Sequence, residues 1–176
     1  MKRTLLFPLV LTALIGLAGS ASAEHGPTPQ KVDETVEIKA TPAAVWAIAG
    51  DFAGIAKWDA EVKASEGSTK KRVMTLKNGE KITEEVDEYD PAHMTYTYRM
   101  LDPNLKALPA SSYSATLVVT AGAEGGTQVQ WYGRVYRGDT GNEPPEELDD
   151  EAAKAALSKL FKAGLEGIKA KAEGKS

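Results

Sequence analysis

Apolar positions recur every second residue through most of residues 32–137, then every three or four residues from 149 onward. Val32, Thr35, Val36 and Ile38 mark a first strand. Thr41-Pro42 then supplies a cap followed by a proline at the first helical position, which predicts a short helix over 43–49 carrying Val45, Trp46 and Ile48. Gly50 and Gly54 break that pattern and leave a second helical turn, Ile55–Trp58. Strands are predicted at Val62–Ser65, Val73–Leu76 and Lys81–Tyr89, the last two flanking Asn78-Gly79, a strong hairpin signal. After a turn at Asp90-Pro91-Ala92-His93, Met94, Tyr96, Tyr98 and Met100 alternate with Thr95, Thr97 and Arg99 in a strand ending near Leu101. A loop from Asp102 to Ala110, with Pro103 and Pro109, precedes two further strands, Ser111–Thr120 and Gln128–Arg137, joined at Gly122–Gly126.

A connector rich in Gly, Pro and acids, Gly138–Leu148, leads to a helix capped by Asp149 or Asp150 and running to about Ala172. Its apolar stripe is Ala153, Leu157, Leu160, Phe161, Gly164, Leu165 and Ile168, with acids at its start and lysines after them, as the helix dipole favours. One sheet with so few helices must curve around the last of them to bury its apolar face. The expected class is therefore α+β: a curved antiparallel sheet wrapped around a long C-terminal helix. Such a geometry usually leaves a pocket between sheet and helix.

Lys2 and Arg3, the apolar run Leu5–Leu17 and Ala21-Ser22-Ala23 form a secretory signal, with cleavage expected after Ala23. The run is shorter than the ~20 residues a membrane span needs. The expected organisation is a signal at 1–23, an extended lead-in at 24–30, one domain at 31–172 and a disordered tail at 173–176. The absence of cysteine excludes disulfides and thiolate chemistry. Without Lys2 and Arg3 there are 19 basic against 25 acidic residues, moving the formal charge from −4 to −6. That balance suits neither nucleic acid nor anionic lipid, but it can steer a basic protein partner.

Candidate chemistry is sparse. His25 and His93 fall in the lead-in and in a turn, no G-x-S-x-G nucleophile motif follows the leader, and no His/Asp/Glu cluster has metal-ligand spacing. Ile82, Glu84 and Val86 share one face of their strand. If that face is internal, Glu84 is a desolvated carboxylate able to act as a general acid or to anchor a ligand. Alternatively Thr83, Glu85 and Tyr89 form the inner face, or Glu84 meets Arg99 or Arg134 across the sheet. Tyr96, Tyr98, Tyr113 and Trp131 either fill a core or line a pocket, and Gly133 suggests space reserved for a side chain or ligand. Trp58 sits at the pocket mouth or staples the short helices to the sheet. Arg134 and Arg137, with Glu143, Glu146, Glu147, Asp149, Asp150 and Glu151, form a candidate docking surface.

The order strand, two short helices, strands, long helix resembles the helix-grip fold of the START/Bet v 1-like superfamily (SRPBCC). Thr41-Pro42-Ala43-Ala44-Val45-Trp46, Gly50-Asp51-Phe52 and Lys57-Trp58 resemble its polyketide cyclase/dehydrase-like members. The stretches His25–Val32, Leu108–Leu117 and Tyr136–Pro145 are similar to the MxaD-like proteins of bacterial methanol oxidation. The chain departs from such families at Asp59-Ala60, where they often carry His-Pro. The resemblance implies a periplasmic accessory protein without catalysis, metal or cofactor, promoting electron transfer between methanol dehydrogenase and its cytochrome c. Arg137, Glu143, Glu146 and Glu147 would be its docking residues. Two rival readings are a carrier of a small hydrophobic ligand, held by Trp58, Glu84, Tyr96, Tyr98, Tyr113 and Trp131, and a cyclase or dehydratase using Glu84 with a Tyr or Arg.

Overall fold

The computed structural model describes residues 26–174, so the expected signal at 1–23 and His25 lie outside the described residues. Seven strands form one antiparallel sheet: β1 Gln30–Ile38, β2 Val62–Gly67, β3 Lys71–Leu76, β4 Lys81–Asp90, β5 Thr95–Met100, β6 Ala110–Ala121 and β7 Thr127–Arg137. Between β1 and β2 lie α1 (Pro42–Ala49) and a 3₁₀ turn (Phe52–Lys57), and α2 (Asp150–Ala172) closes the chain. The spatial order is β1-β7-β6-β5-β4-β3-β2. Each strand after β2 therefore lies beside its predecessor in sequence, whereas β1 pairs with the last strand and α1 with the 3₁₀ turn joins the two edges. This is the helix-grip arrangement expected from the sequence.

Local sequence explains the boundaries. Thr41 Oγ1 accepts the Ala44 N–H at 3.4 Å, with Pro42 in the first turn of α1. Asp51 starts the 3₁₀ turn by accepting the Gly54 N–H at 3.1 Å, so that turn begins three residues before the expected Ile55. Asp149 caps α2 by accepting the Ala152 N–H at 2.8 Å, with Asp150 and Glu151 in the first turn and Lys169 and Lys171 in the last. Between β3 and β4, Gly79 takes a φ of 86°, a conformation that strains other residues, and Asn78 Oδ1 accepts the Glu80 N–H.

The concave face carries the core. Leu157, Leu160, Phe161, Leu165 and Ile168 of α2 are all buried, and α2 lies against β1 and β7. The Phe161 ring stacks on Trp131 with centroids 4.4 Å apart and planes 11° from parallel.

Three details depart from expectation. β3 starts at Lys71 rather than Val73, which adds Arg72 to the inward positions with Met74 and Leu76. β4 carries a bulge between Val86 and Glu88. One extra residue flips the alternation, so Ile82 and Glu84 point inward before it and Tyr89 joins the inner aromatic cluster after it. Of the alternative inner set Thr83, Glu85 and Tyr89, only Tyr89 turns inward; Glu85 pairs with Arg99 at the surface. Gly133 does not reserve room for a side chain or ligand, because a Cβ there would strike the Ser114 carbonyl and Ala115 of β6.

Candidate functional site

Arg72 and Glu84 stand directly opposite in the β3–β4 ladder, and both side chains are 0% exposed. Arg72 Nε donates to Glu84 Oε2 at 2.5 Å, and Nη1 donates to the Phe52 carbonyl at 2.7 Å. The Tyr113 hydroxyl donates to the other Glu84 oxygen at 2.5 Å. The guanidinium lies 4.0 Å from the Phe52 ring centroid and 5.1 Å from that of Tyr98. Burial is the largest single influence and works against its charge, but the charge and hydrogen bond of Glu84, with Tyr98 and Tyr96 adding to them, together hold Arg72 protonated above its ordinary range. Both oxygens of Glu84 are engaged, and its partner is neither Arg99 nor Arg134. Arg99 pairs with Glu85 and Asp87 on the outer face. Arg134 is exposed beside Lys31 and Tyr132.

Around this pair the aromatic set closes. Trp131 Nε1 donates to the Tyr98 hydroxyl at 3.1 Å. Tyr96 meets Phe52, Tyr89 and Tyr98 at centroid distances of 5.4, 6.3 and 6.0 Å. Burial pushes the phenols of Tyr96, Tyr98 and Tyr113 above their ordinary range, with Glu84 adding to the effect on Tyr98 and Tyr113. Glu84, Tyr96, Tyr98 and Trp131 are 0% exposed and Tyr113 1%, so all five are buried with almost no space the size of a water molecule against them. The pocket expected between sheet and helix is filled by Trp131, Phe161 and the Arg72 guanidinium. Two polar atoms in this filling, Arg72 Nη2 and the Tyr96 hydroxyl, have no hydrogen-bond partner among the described residues.

Open volume lies elsewhere. A groove of about 660 Å³ runs beside Trp58, Asp59, Gly167 and Ala170, and another of about 300 Å³ lies between Asn78, Leu108 and Leu160. Of the six ligand candidates only Trp58 lines either groove. It is buried, with its ring 5.9 Å from Trp131, so it joins the 3₁₀ segment to the core beneath α2. Beside it Asp59 is 2% exposed. Its Oδ1 accepts the Glu61 N–H at 2.8 Å, and Oδ2 has no partner among the described residues. Burial raises its pKa to about 7, against the lowering by that hydrogen bond and by Arg72.

The docking candidates divide by role. Arg137 donates to the carbonyls of Asp139 and Gly141 and to Asp150, so it folds the connector back on the start of α2. Glu143, Glu146 and Glu147 are exposed on the segment it holds. At the root of that segment Leu105, 44% exposed, packs beside Gly138.

Sequence reasoning missed Arg72 and Asp59. Arg72, Met74 and Leu76 do alternate, so reading the strand two residues earlier would have shown an inward cation. Asp59 had no periodic signal, because it lies where the 3₁₀ turn passes into β2. Among the described residues no three His, Asp or Glu side chains converge to hold a metal, and no helix is long and apolar enough to cross a membrane.

Sheet order, the gripped helix and the aromatic interior together define a protein of the SRPBCC class. The chain belongs to the polyketide cyclase/dehydrase and lipid transport family, whose model matches residues 29–173. No curated protein matches it. Among solved structures it is similar to the protein XoxI from Bacillus cereus, with 22% identity and a TM-score of 0.69 over 81% of this chain and 94% of that one. A putative uncharacterized protein from Bacillus thuringiensis aligns with 22% identity and a TM-score of 0.67, over 80% of this chain and 96% of that one. The ZhuI aromatase/cyclase from Streptomyces sp. R1128 aligns at 19% identity and a TM-score of 0.62, over 83% and 94%. At these identities the similarity concerns the fold.

Proposed function

We propose that this chain is a periplasmic, non-enzymatic accessory of methanol oxidation that promotes contact and electron transfer between methanol dehydrogenase and its cytochrome c. The observation that carries the docking reading is the closed interior. Glu84, the residue best suited to acid–base work, is sealed and bonded to Arg72 and Tyr113. Function then falls to the surface. There Arg137 fixes the connector on which Glu143, Glu146 and Glu147 are exposed, and the exposed Leu105 lies beside Gly138 at its root. An exposed acidic segment suits a basic partner face, the charges speeding encounter and setting orientation. The sequence similarity to MxaD-like proteins supplies the identity of the partners.

The test is a pull-down with the exported protein from methanol-grown cells. Recovery of the dehydrogenase or cytochrome, lost in the Glu143→Lys/Glu146→Lys/Glu147→Lys variant, supports the reading. A co-purifying lipid or polyketide with neither protein refutes it. That outcome favours the carrier reading, for which Arg72 Nη2 and the Tyr96 hydroxyl, close to each other but without a well-formed hydrogen bond, are the supporting observation.

A further inference from the structure

Gly164 and Gly167 interrupt a helix that would be more stable with alanine at both positions. Their neighbours account for them. A Cβ at Gly167 would overlap the Trp58 carbonyl oxygen, and one at Gly164 would lie 2.6 Å from the Trp131 ring, 2.8 Å from the Trp58 ring and 2.9 Å from Asp59 Oδ2. The backbone of α2 thus lies directly on the Trp58-Asp59 segment. The Asp59 carboxyl, 2% exposed, lies under this stretch of helix. Oδ2 lies beside Gly164 and has no hydrogen-bond partner among the described residues. Immediately alongside is the groove lined by Trp58, Asp59, Gly167 and Ala170, from which water can reach the carboxyl once the helix moves.

We propose that Asp59 is a proton-operated latch: protonated, it lets the C-terminal half of α2 seat on the Trp58 segment, and ionised, it loosens that seat. Because Trp131 lies beneath Gly164, loosening also opens a path to the aromatic interior. The device goes beyond docking and applies whichever surface a partner uses.

The other charged groups around Asp59 set the direction. From its own segment Glu61 opposes ionisation, as does Glu84 of β4, while Arg72 of β3 favours it. Lys57 and Lys171 line the groove rather than the buried face, and Lys159 of α2 is occupied by Glu61. Burial is the largest influence and leaves the group titrating at about 7 instead of 3.8. A raised folded-state pKa means the closed form gains from the proton. Its stability is complete below the ordinary carboxylate range and is lost as pH rises to about 7.

The experiment is amide hydrogen exchange on the full exported protein between pH 5.5 and 8.5, each rate normalised to its intrinsic value. Protection of residues 160–171 should fall at least about tenfold with rising pH, within the roughly thirtyfold that the shift leaves over this pH range. The transition should vanish in Asp59→Asn, which keeps an acceptor for the Glu61 N–H, and persist in His93→Gln, which removes an imidazole with a raised pKa on the β4–β5 turn. A change under twofold in the wild type, a transition surviving in Asp59→Asn, or its loss in His93→Gln overturns the proposal. Acrylamide quenching of tryptophan emission in the wild type is a reading that needs no variant. Flat quenching across the range also overturns the latch.

Discussion

Replacing Glu84 by Gln removes one charge and almost no volume. Arg72 would remain 0% exposed, keeping the Phe52 carbonyl at 2.7 Å and the ring contacts at 4.0 and 5.1 Å. None of these grows to replace the lost carboxylate. Breaking a buried ion pair from one side costs about 3–5 kcal/mol, because the remaining charge is left uncompensated. The amide still accepts one hydrogen bond, which places Glu84→Gln near the lower limit, about 3 kcal/mol. Domains of this size have roughly 5–15 kcal/mol in total, so the variant folds with a thin margin. With a urea slope of about 2 kcal/mol per molar, the unfolding midpoint should fall by about 1.5 M. Removing both charges in Arg72→Met/Glu84→Leu should recover most of the loss, to within about 1 kcal/mol of the wild type, since apolar groups of similar volume replace buried pairs well. Refutation would come from a Glu84→Gln variant within about 0.5 kcal/mol of the wild type. A double variant no better than the single one would show that shape, not charge, sets the cost.

Two further changes probe other parts of the structure. Gly167→Ala adds about 1 kcal/mol of helix propensity, yet its methyl meets the Trp58 carbonyl. A net loss of about 1–3 kcal/mol is expected in a thermal melt, and a stabilised variant would show that α2 does not press on that segment. On the exposed β4–β5 turn, His93 Nδ1 lies 2.6 Å from Asp90 Oδ2. The hydrogen bond and charge of Asp90 raise the His93 pKa above 6.5, and His93 lowers that of Asp90. The charged pair therefore exists between the lowered Asp90 value and the raised His93 value, and is lost as pH falls through the first or rises through the second. Asp90→Asn should return the imidazole to its ordinary titration by NMR, and an unchanged curve would mean that the contact does not form in solution.

Periodicity and turn chemistry made most of the architecture readable. Asn78-Gly79 marked the β3–β4 hairpin, Met94 to Met100 declared an inner face by strict alternation, and the stripe from Ala153 to Ile168 marked the helix that the sheet grips. These features are local, because side-chain direction repeats every 2.0 or 3.6 residues whatever the rest of the chain does. The content of the interior was not local. Glu84 was identifiable as a carboxylate that could turn inward, but its partner Arg72 became visible only once β3 began at Lys71 and the register set the two opposite each other. The bulge at Val86–Glu88 brought Tyr89 to the same face as Glu84, which strict alternation forbids.

The sequence by itself determined that one sheet closes on one helix. Whether a chamber remains between them was decided by tertiary packing alone. Trp131, Phe161, Trp58 and Arg72 come from segments far apart in the chain, and only their summed volumes, seated against Gly164, fill the space. The state of Asp59 has the same origin. A carboxyl's proton affinity depends on the water and donors around it, and those are set by a helix that begins only at Asp150, far along the chain.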